Sequence, residues 1–229
     1  MRYLRLRLLI LGLVVFLGGC RKGGPGAGSG TSPLLFVNTS IHDPSVDIYT
    51  NGSLLYNQLS FPDSTGYLTT ASPVNRLSLL FTGDTVLDVP TAFVPGHEYS
   101  VFVIDSAGGT GVQLAVVPDS VPLTRAGYAL VRFLNFSPSV PNLDLYATTT
   151  GQYLFTDRYF DQTDASATAF VSVPSGTYNL ELRASGTIVS VAGLDGLNLD
   201  AGKAYTLFAK GKVGVVGSRT LGIGLLRHN

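Results

Sequence analysis

One stretch occurs twice in this chain. Phe36-Val37-Asn38-Thr39-Ser40 leads to Val46-Asp47-Ile48-Tyr49, and Phe133-Leu134-Asn135-Phe136-Ser137 leads to Leu143-Asp144-Leu145-Tyr146. At one constant offset Phe36 meets Phe133, Asn38 meets Asn135, Ser40 meets Ser137, Pro44 meets Pro141, Asp47 meets Asp144 and Tyr49 meets Tyr146, with no gap. Such a repeat marks a unit used twice. The 229 residues are therefore expected to form two domains, each with its own core.

Both copies read as β-structure. Beyond residue 33, short runs of Val, Leu, Phe, Tyr and Thr are broken by Gly, Pro, Asn and Asp about every ten residues, the pattern of an all-β sandwich or barrel. In the first copy (34–120), Val46 to Tyr49 alternates and runs through Asn51-Gly52 into Leu54-Leu55-Tyr56. Asn-Gly tolerates positive φ at both positions of a two-residue turn, so a hairpin is expected there. Strands follow at Arg76 to Thr82, Thr85 to Val89, Glu98 to Asp105 and Gln113 to Val117. Val101-Phe102-Val103-Ile104 is apolar on both faces, which predicts a strand in the middle of the sandwich.

In the second copy (127–229), strands are expected at Ala129 to Asn135 and Leu143 to Ala147. Tyr178, Leu180 and Leu182 alternate with Asn179, Glu181 and Arg183, so one side of that strand faces a core. Gly202 precedes Tyr205 as Gly96 precedes Tyr99, the spacing of a corner Tyr whose hydroxyl bonds back to nearby backbone. Leu221, Ile223 and Leu225 are expected on one face of a closing strand, with Gly222 and Gly224 between them.

The amino terminus has a different grammar. Arg2, Arg5 and Arg7 precede an apolar run from Leu8 to Leu17, the layout of a secretory signal peptide. Leu17-Gly18-Gly19-Cys20 then resembles the lipobox of bacterial lipoproteins, in which the thiol takes a diacylglyceryl group and the peptide is cut just before it. Cys20 is the only cysteine, and the uncharged run is shorter than the roughly 20 residues a spanning helix needs. Residues 1–19 are thus expected to be removed. Acyl chains such as palmitate on Cys20 would hold the protein on a membrane, each buried methylene contributing about 0.8 kcal/mol. Residues 20–33, rich in Gly, Ser and Pro, read as a coil tether reaching roughly 20 Å. Arg21 stands where an inner-membrane retention signal would resemble Asp, which favours the outer membrane.

The repeated Phe-x-Asn-x-Ser and Asp-(Ile/Leu)-Tyr, with Val173-Pro174-Ser175-Gly176-Thr177-Tyr178 and Ala201-Gly202-Lys203-Ala204-Tyr205-Thr206, resemble the domain-of-unknown-function 4397 family. The resemblance implies an exported or lipid-anchored bacterial protein with the domain in tandem and immunoglobulin-like sandwiches. It covers nearly everything after Pro33 and is fuller from Gly127 to Gly211 than in the first copy, where Ser72 to Arg76 lacks the Gly-x-Tyr turn. It brings no catalytic or binding residues.

Little else points to chemistry. With formal charge zero and 13% charged residues, no basic face is offered to nucleic acid. His42, His97 and His228 are far apart and form no zinc pattern, so no metal or other cofactor is expected. Asp157, Asp161 and Asp164 could hold calcium in a loop, but the spacing is not that of an EF-hand and a solvated loop is the expectation. Gly-x-Ser-x-Gly is absent, and Gly196 to Lys203 misses the phosphate-loop spacing. Asp47 and Asp144 could face a ligand, or could accept backbone donors beside a hairpin, which is the favoured reading. The eleven Tyr residues could offer a glycan platform, although no Trp accompanies them. The sequence thus predicts a lipid-anchored, non-enzymatic structural or binding module, partnered by the membrane and by an envelope protein or glycan. The alternatives are an adhesin-like glycan binder and a hydrolase assembled from distant Asp, His and Ser.

Overall fold

The computed structural model of the chain describes residues 30–42, 45–70, 73–107 and 110–228. Leu17, Gly18, Gly19 and Cys20, with most of the tether, lie outside the described residues. Among the described residues the fold is all-β, with one short α-helix. The first half contributes β1 (Leu34–Asn38), β2 (Ser45–Thr50), β3 (Ser53–Ser60), β4 (Arg76–Phe81), β5 (Asp84–Pro90), β6 (Tyr99–Asp105) and β7 (Val112–Pro118). The second contributes β8 (Tyr128–Asn135), β9 (Asn142–Ala147), β10 (Gln152–Tyr159), α1 (Ala165–Thr168), β11 (Val171–Pro174), β12 (Gly176–Ala184), β13 (Ser190–Leu199), β14 (Ala204–Lys210) and β15 (Gly222–His228).

Among the described residues four sheets form, in the orders β3-β2-β4-β5, β1-β6-β7, β10-β9-β12-β13 and β11-β8-β14-β15. The halves follow one plan. β1 and β8 pair in parallel with β6 and β14, and antiparallel partners complete each sheet. Where the second half has β11, the first has only isolated bridges from Ser64 and Leu68 to β1. This connectivity differs from the immunoglobulin one, in which the first, second, fifth and fourth strands share a sheet. Here the second strand lies between the third and fourth, and the first lies beside the sixth. Alternation decides which face of a strand is buried but not which strand lies beside it, so the residues announced a sandwich and left its strand order open.

Each half encloses an apolar core between its own two sheets. In the first, Leu34 and Phe36 of β1 and Val101 and Val103 of β6 meet Val46, Ile48, Leu59, Leu77 and Leu79. In the second, Phe133 of β8 and Leu207 of β14 meet Leu143, Leu145, Phe155, Leu180 and Leu182. The hairpin between β2 and β3 turns on Asn51 (φ 50°) and Gly52 (φ 81°), as the sequence predicts. Its counterpart between β9 and β10 uses the longer turn Thr148 to Gly151.

A third core lies between the halves. Leu35, Val37, Phe102, Ile104, Ala115 and Val117 of the β1-β6-β7 sheet pack against Leu134, Phe136, Ala167, Phe208 and Leu226 of the second half. Phe102 is 4.6 Å from Phe136 and 5.3 Å from Phe208, measured between ring centroids. This explains the doubly apolar run in β6, since one face serves its own sandwich and the other serves the neighbour. While Leu221 and Ile223 pack within the second sandwich as the sequence predicts, the other face of the closing strand adds to this core between the halves. In β15 the residues directed at this core are Gly224, Leu226 and His228, while Leu225 is exposed. Gly224 lies under the Phe208 ring, where a Cβ would stand 2.3 Å from Cε2 and Cζ.

Candidate functional site

The polar residues that both copies repeat are engaged within their own half. Asn38 Oδ1 accepts from the Ser40 amide and its Nδ2 donates to the Leu59 carbonyl; Asn135 does the same with the Ser137 amide and the Arg158 carbonyl. The side chain thereby ties the end of β1 or β8 across to the opposite sheet. Asp47 Oδ1 accepts from the Gln58 amide and Asp144 Oδ1 from the Asp157 amide, each at 2.7 Å. Gln58 and Asp157 both have φ 54°, at an irregularity in β3 and β10 that turns the amide out of the ladder. The repeated Asp fills that vacancy for a backbone acceptor. The corner tyrosines behave alike, with Tyr99 Oη accepting from the Val94 amide and Tyr205 Oη from the Asp200 amide.

The acidic cluster divides into three separate duties. Asp157 Oδ1 accepts from Asn142 and Ser185, and Asp161 Oδ2 accepts from Gln113 across the gap between the halves. Asp164 caps α1, accepting from the Ser166 and Ala167 amides, and its bonds to Ser166 and Gln162 hold its carboxyl well below the usual range. Among the described residues no group of three or more His, Cys, Asp or Glu gathers to hold a metal ion. His42 and His97 are exposed in loops, and the Nδ1 of His97 lies 3.3 Å from the Pro95 carbonyl.

His228 is different. It is 2% exposed and joins a closed ring of polar side chains between the halves. Its Nδ1 lies 3.0 Å from Tyr67 Oη, and its Nε2 lies 2.6 Å from Thr206 Oγ1. Tyr67 donates to Asp119 Oδ2 at 2.7 Å, and Ser100 donates to the same oxygen at 2.8 Å. Arg132 closes the ring, pairing with Asp119 Oδ1 through Nη2 and donating from Nε to Thr206 Oγ1 at 2.7 Å. Its Nη1 donates to the Pro118 carbonyl at 2.8 Å, and its guanidinium stacks on Phe170. The Arg132 and Asp119 side chains are both 0% exposed. Burial pushes the His228 imidazole down to about 4, with Asp119 opposing and Arg132 adding to the shift. Burial and the Asp119 charge together push the Tyr67 hydroxyl far up. The ring brings His, Asp, Ser and Thr together as a hydrolase would, but the Thr206 and Ser100 residues are both 0% exposed.

The ring occupies structurally equivalent places in the two copies. Pairing of β1 with β6 and of β8 with β14 matches Leu35 to Arg132 and Ser100 to Thr206. The antiparallel partners match Asp119 to His228 and Tyr67 to Phe170. Phe102 meets its own equivalent, Phe208, as residues do across a two-fold axis. None of Arg132, Asp119, Tyr67 or Thr206 stood out as a site residue in the sequence. A signal was present in Arg132, the one charge inside the apolar run from Ala129 to Leu134.

Two features lie on the surface. A cleft of about 310 Å³ is lined by Ser45, Asp47, Gln58, Leu80, Phe81 and the Thr82-Gly83 turn. On the outer face of the β10-β9-β12-β13 sheet, Tyr146 and Tyr153 meet edge to face at 4.9 Å, and Arg183 stacks 3.5 Å from the Tyr146 ring while pairing with Glu181.

The sequence model of a family described as a domain of unknown function, DUF4397, matches residues 32–146. The match takes in β1 to β9, all of the first copy and the opening of the second, whereas the resemblance read from the residues was fuller in the second. No curated protein matches the chain.

Proposed function

The chain belongs to the DUF4397 family, and from that premise we propose that it is a non-enzymatic structural or binding module carried at the cell envelope by lipid on Cys20. The observation that carries this reading is the engagement of the repeated polar residues. Asn38, Asn135, Asp47, Asp144, Tyr99 and Tyr205 all bond to their own backbone, so what the two copies share is a means of building a sandwich. The amino-terminal Leu17-Gly18-Gly19-Cys20, the tether and the Arg at position 21 support lipid anchoring, with the outer membrane favoured over the inner. In this reading 34–120 and 127–229 are two tandem sandwich domains, and their partner is an envelope protein. Cys20→Ser tests it in fractionated cells. Loss of membrane attachment and retention of the unprocessed length are expected; unchanged attachment and size would overturn the anchor.

A second reading, capture of a glycan, draws on the cleft beside Asp47. Carboxylate, amide and hydroxyl groups of Asp47, Gln58 and Ser45 stand there next to the half-exposed Phe81 ring, a combination that suits a hydroxyl-rich ring. Titration of soluble saccharides against the wild type and Phe81→Ala, followed by amide shifts of Asp47 and Gln58, distinguishes the readings. Shifts in the wild type alone favour the glycan, and silence in both favours the protein partner.

A further inference from the structure

The ring around His228 fixes its own protons. Arg132 can only donate, and an ionised Asp119 can only accept. Tyr67 and Ser100 therefore give their hydrogens to Asp119 Oδ2, and the Tyr67 oxygen is left to accept from His228 Nδ1–H. The Thr206 oxygen takes the Arg132 Nε–H, so its own hydrogen goes to His228 Nε2. Thr206, His228 and Tyr67 then each give and receive one hydrogen, in a relay that starts at the donor Arg132 and ends at the acceptor Asp119. The other tautomer fails. A hydrogen on Nε2 would take the second lone pair of the Thr206 oxygen, leave the buried Thr206 hydrogen without His228 as its acceptor, and turn the Tyr67 lone pairs towards Asp119.

We propose that this ring is an acid-sensitive lock between the two halves, closed by a neutral, Nδ1-protonated His228 and opened when Nε2 takes a proton. Protonation sets Nε2–H against the Thr206 oxygen at 2.6 Å and places a second cation beside Arg132, with Asp119 the one carboxylate in the ring. The titratable and charged groups facing His228 are Tyr67 from the segment along β1, Asp119 beyond β7 and Arg132 of β8. β14 presents the uncharged Thr206, and the segment before β11 presents the uncharged Phe170 at 5.7 Å. Glu98 acts on Tyr67 from further away, and Arg227, the preceding residue of β15, is turned to Asp200.

The direction of the pH dependence follows. His228 is held neutral in the folded protein down to about 4, against the ordinary imidazole value of 6.5. Its contribution is complete above pH 6.5 and is lost as pH falls from 6.5 towards 4, a weakening of the folded state on the order of 100-fold. Because the ring spans the two faces, the weakening falls on their association.

Two measurements on the full chain test the lock. In nitrogen-15 spectra of the histidine-labelled protein at pH 7.5, His228, assigned by comparison with His228→Leu, is expected as the Nδ1–H tautomer. In the second, a protease site inserted after the fully exposed Leu123 allows the connection between β7 and β8 to be cut. The cut halves should co-elute at pH 7.5 and separate between pH 6.5 and 4, and His228→Leu should flatten that dependence. Should His228→Leu not fold, the tautomer, assigned from its contact with Tyr67, and the wild-type elution still decide. An Nε2–H tautomer, or wild-type halves that stay together down to pH 4, overturns the proposal.

Discussion

Arg132→Leu is the substitution that most directly weighs the ring. It gives the second copy the residue that the first copy has at that place, Leu35, so the change is compatible with the strand and with the neighbouring apolar side chains. What it removes is the one cation paired with Asp119 among the described residues, Asp119 having a side chain 0% exposed, together with the donors to the Pro118 carbonyl and Thr206. Breaking a buried ion pair by deleting one partner costs about 3–5 kcal/mol, because the other charge stays behind uncompensated. Asp119→Asn on top of Arg132→Leu removes that stranded charge while leaving an acceptor for Ser100 and Tyr67. The double variant should therefore recover about 2 kcal/mol relative to Arg132→Leu alone. Urea unfolding at pH 7.5, followed by tyrosine fluorescence in a chain without Trp, reads both values. Arg76→Leu is the control. Arg76 and Asp88 are 2.5 Å apart, but the side chains are 52% and 37% exposed, so its midpoint should barely move. If Arg132→Leu unfolds no earlier than Arg76→Leu, or if the double variant is weaker than the single, the buried pair is not what joins the halves.

Gly224→Ala should cost about 1–3 kcal/mol by driving a methyl into the Phe208 ring, whereas Gly222→Ala, whose Cβ meets nothing closer than 3.9 Å, should be tolerated; thermal melts compare them. Tyr205→Phe leaves the Asp200 amide without its acceptor and should cost about 1 kcal/mol, with faster hydrogen exchange at Asp200 and an unchanged rate at Val94. Asp144→Ala orphans the Asp157 amide and should cost about 1–2 kcal/mol in denaturant melts, Asp144 being buried. Expressed alone, residues 127–229 would expose Leu134, Phe136, Phe208 and Leu226, so self-association or binding of an apolar dye is expected; a stable monomer that binds no dye would contradict a shared core.

Much of each sandwich was legible because its causes are local. Alternation placed Tyr178, Leu180 and Leu182 inward, Asn51-Gly52 specified its turn, and the Gly before Tyr99 and Tyr205 marked two corners whose hydroxyls do bond back to the chain. β10 and β13 were harder to see. Tyr153 and Tyr159 are exposed and Asp157 breaks the alternation in β10, while β13 carries Gly193 and Gly196 on an edge with little to bury. The closing strand was legible on one face and not on the other. Leu221 and Ile223 do pack against the core of the second sandwich, but Leu225 is exposed, and the opposite face is buried around the Gly that admits the Phe208 ring. Composition cannot reveal that a glycine is wanted for the space it leaves.

The ring between the halves was illegible for a deeper reason. Comparing two copies of a unit draws attention to what they keep, and they keep what each sandwich needs alone: Phe36 and Phe133, Asn38 and Asn135, Asp47 and Asp144. A face that binds its own equivalent obeys the opposite rule. Were the two faces identical, Asp119 would meet a second Asp, or Arg132 and His228 would meet a second pair of potential cations, at a place where unpaired charge is costly. Pairing one copy with the other requires Leu35 against Arg132, Asp119 against His228 and Tyr67 against Phe170. Divergence at those positions reads as noise in a repeat alignment, yet it makes the copies complementary and lets the first half recognise the second in preference to another copy of itself.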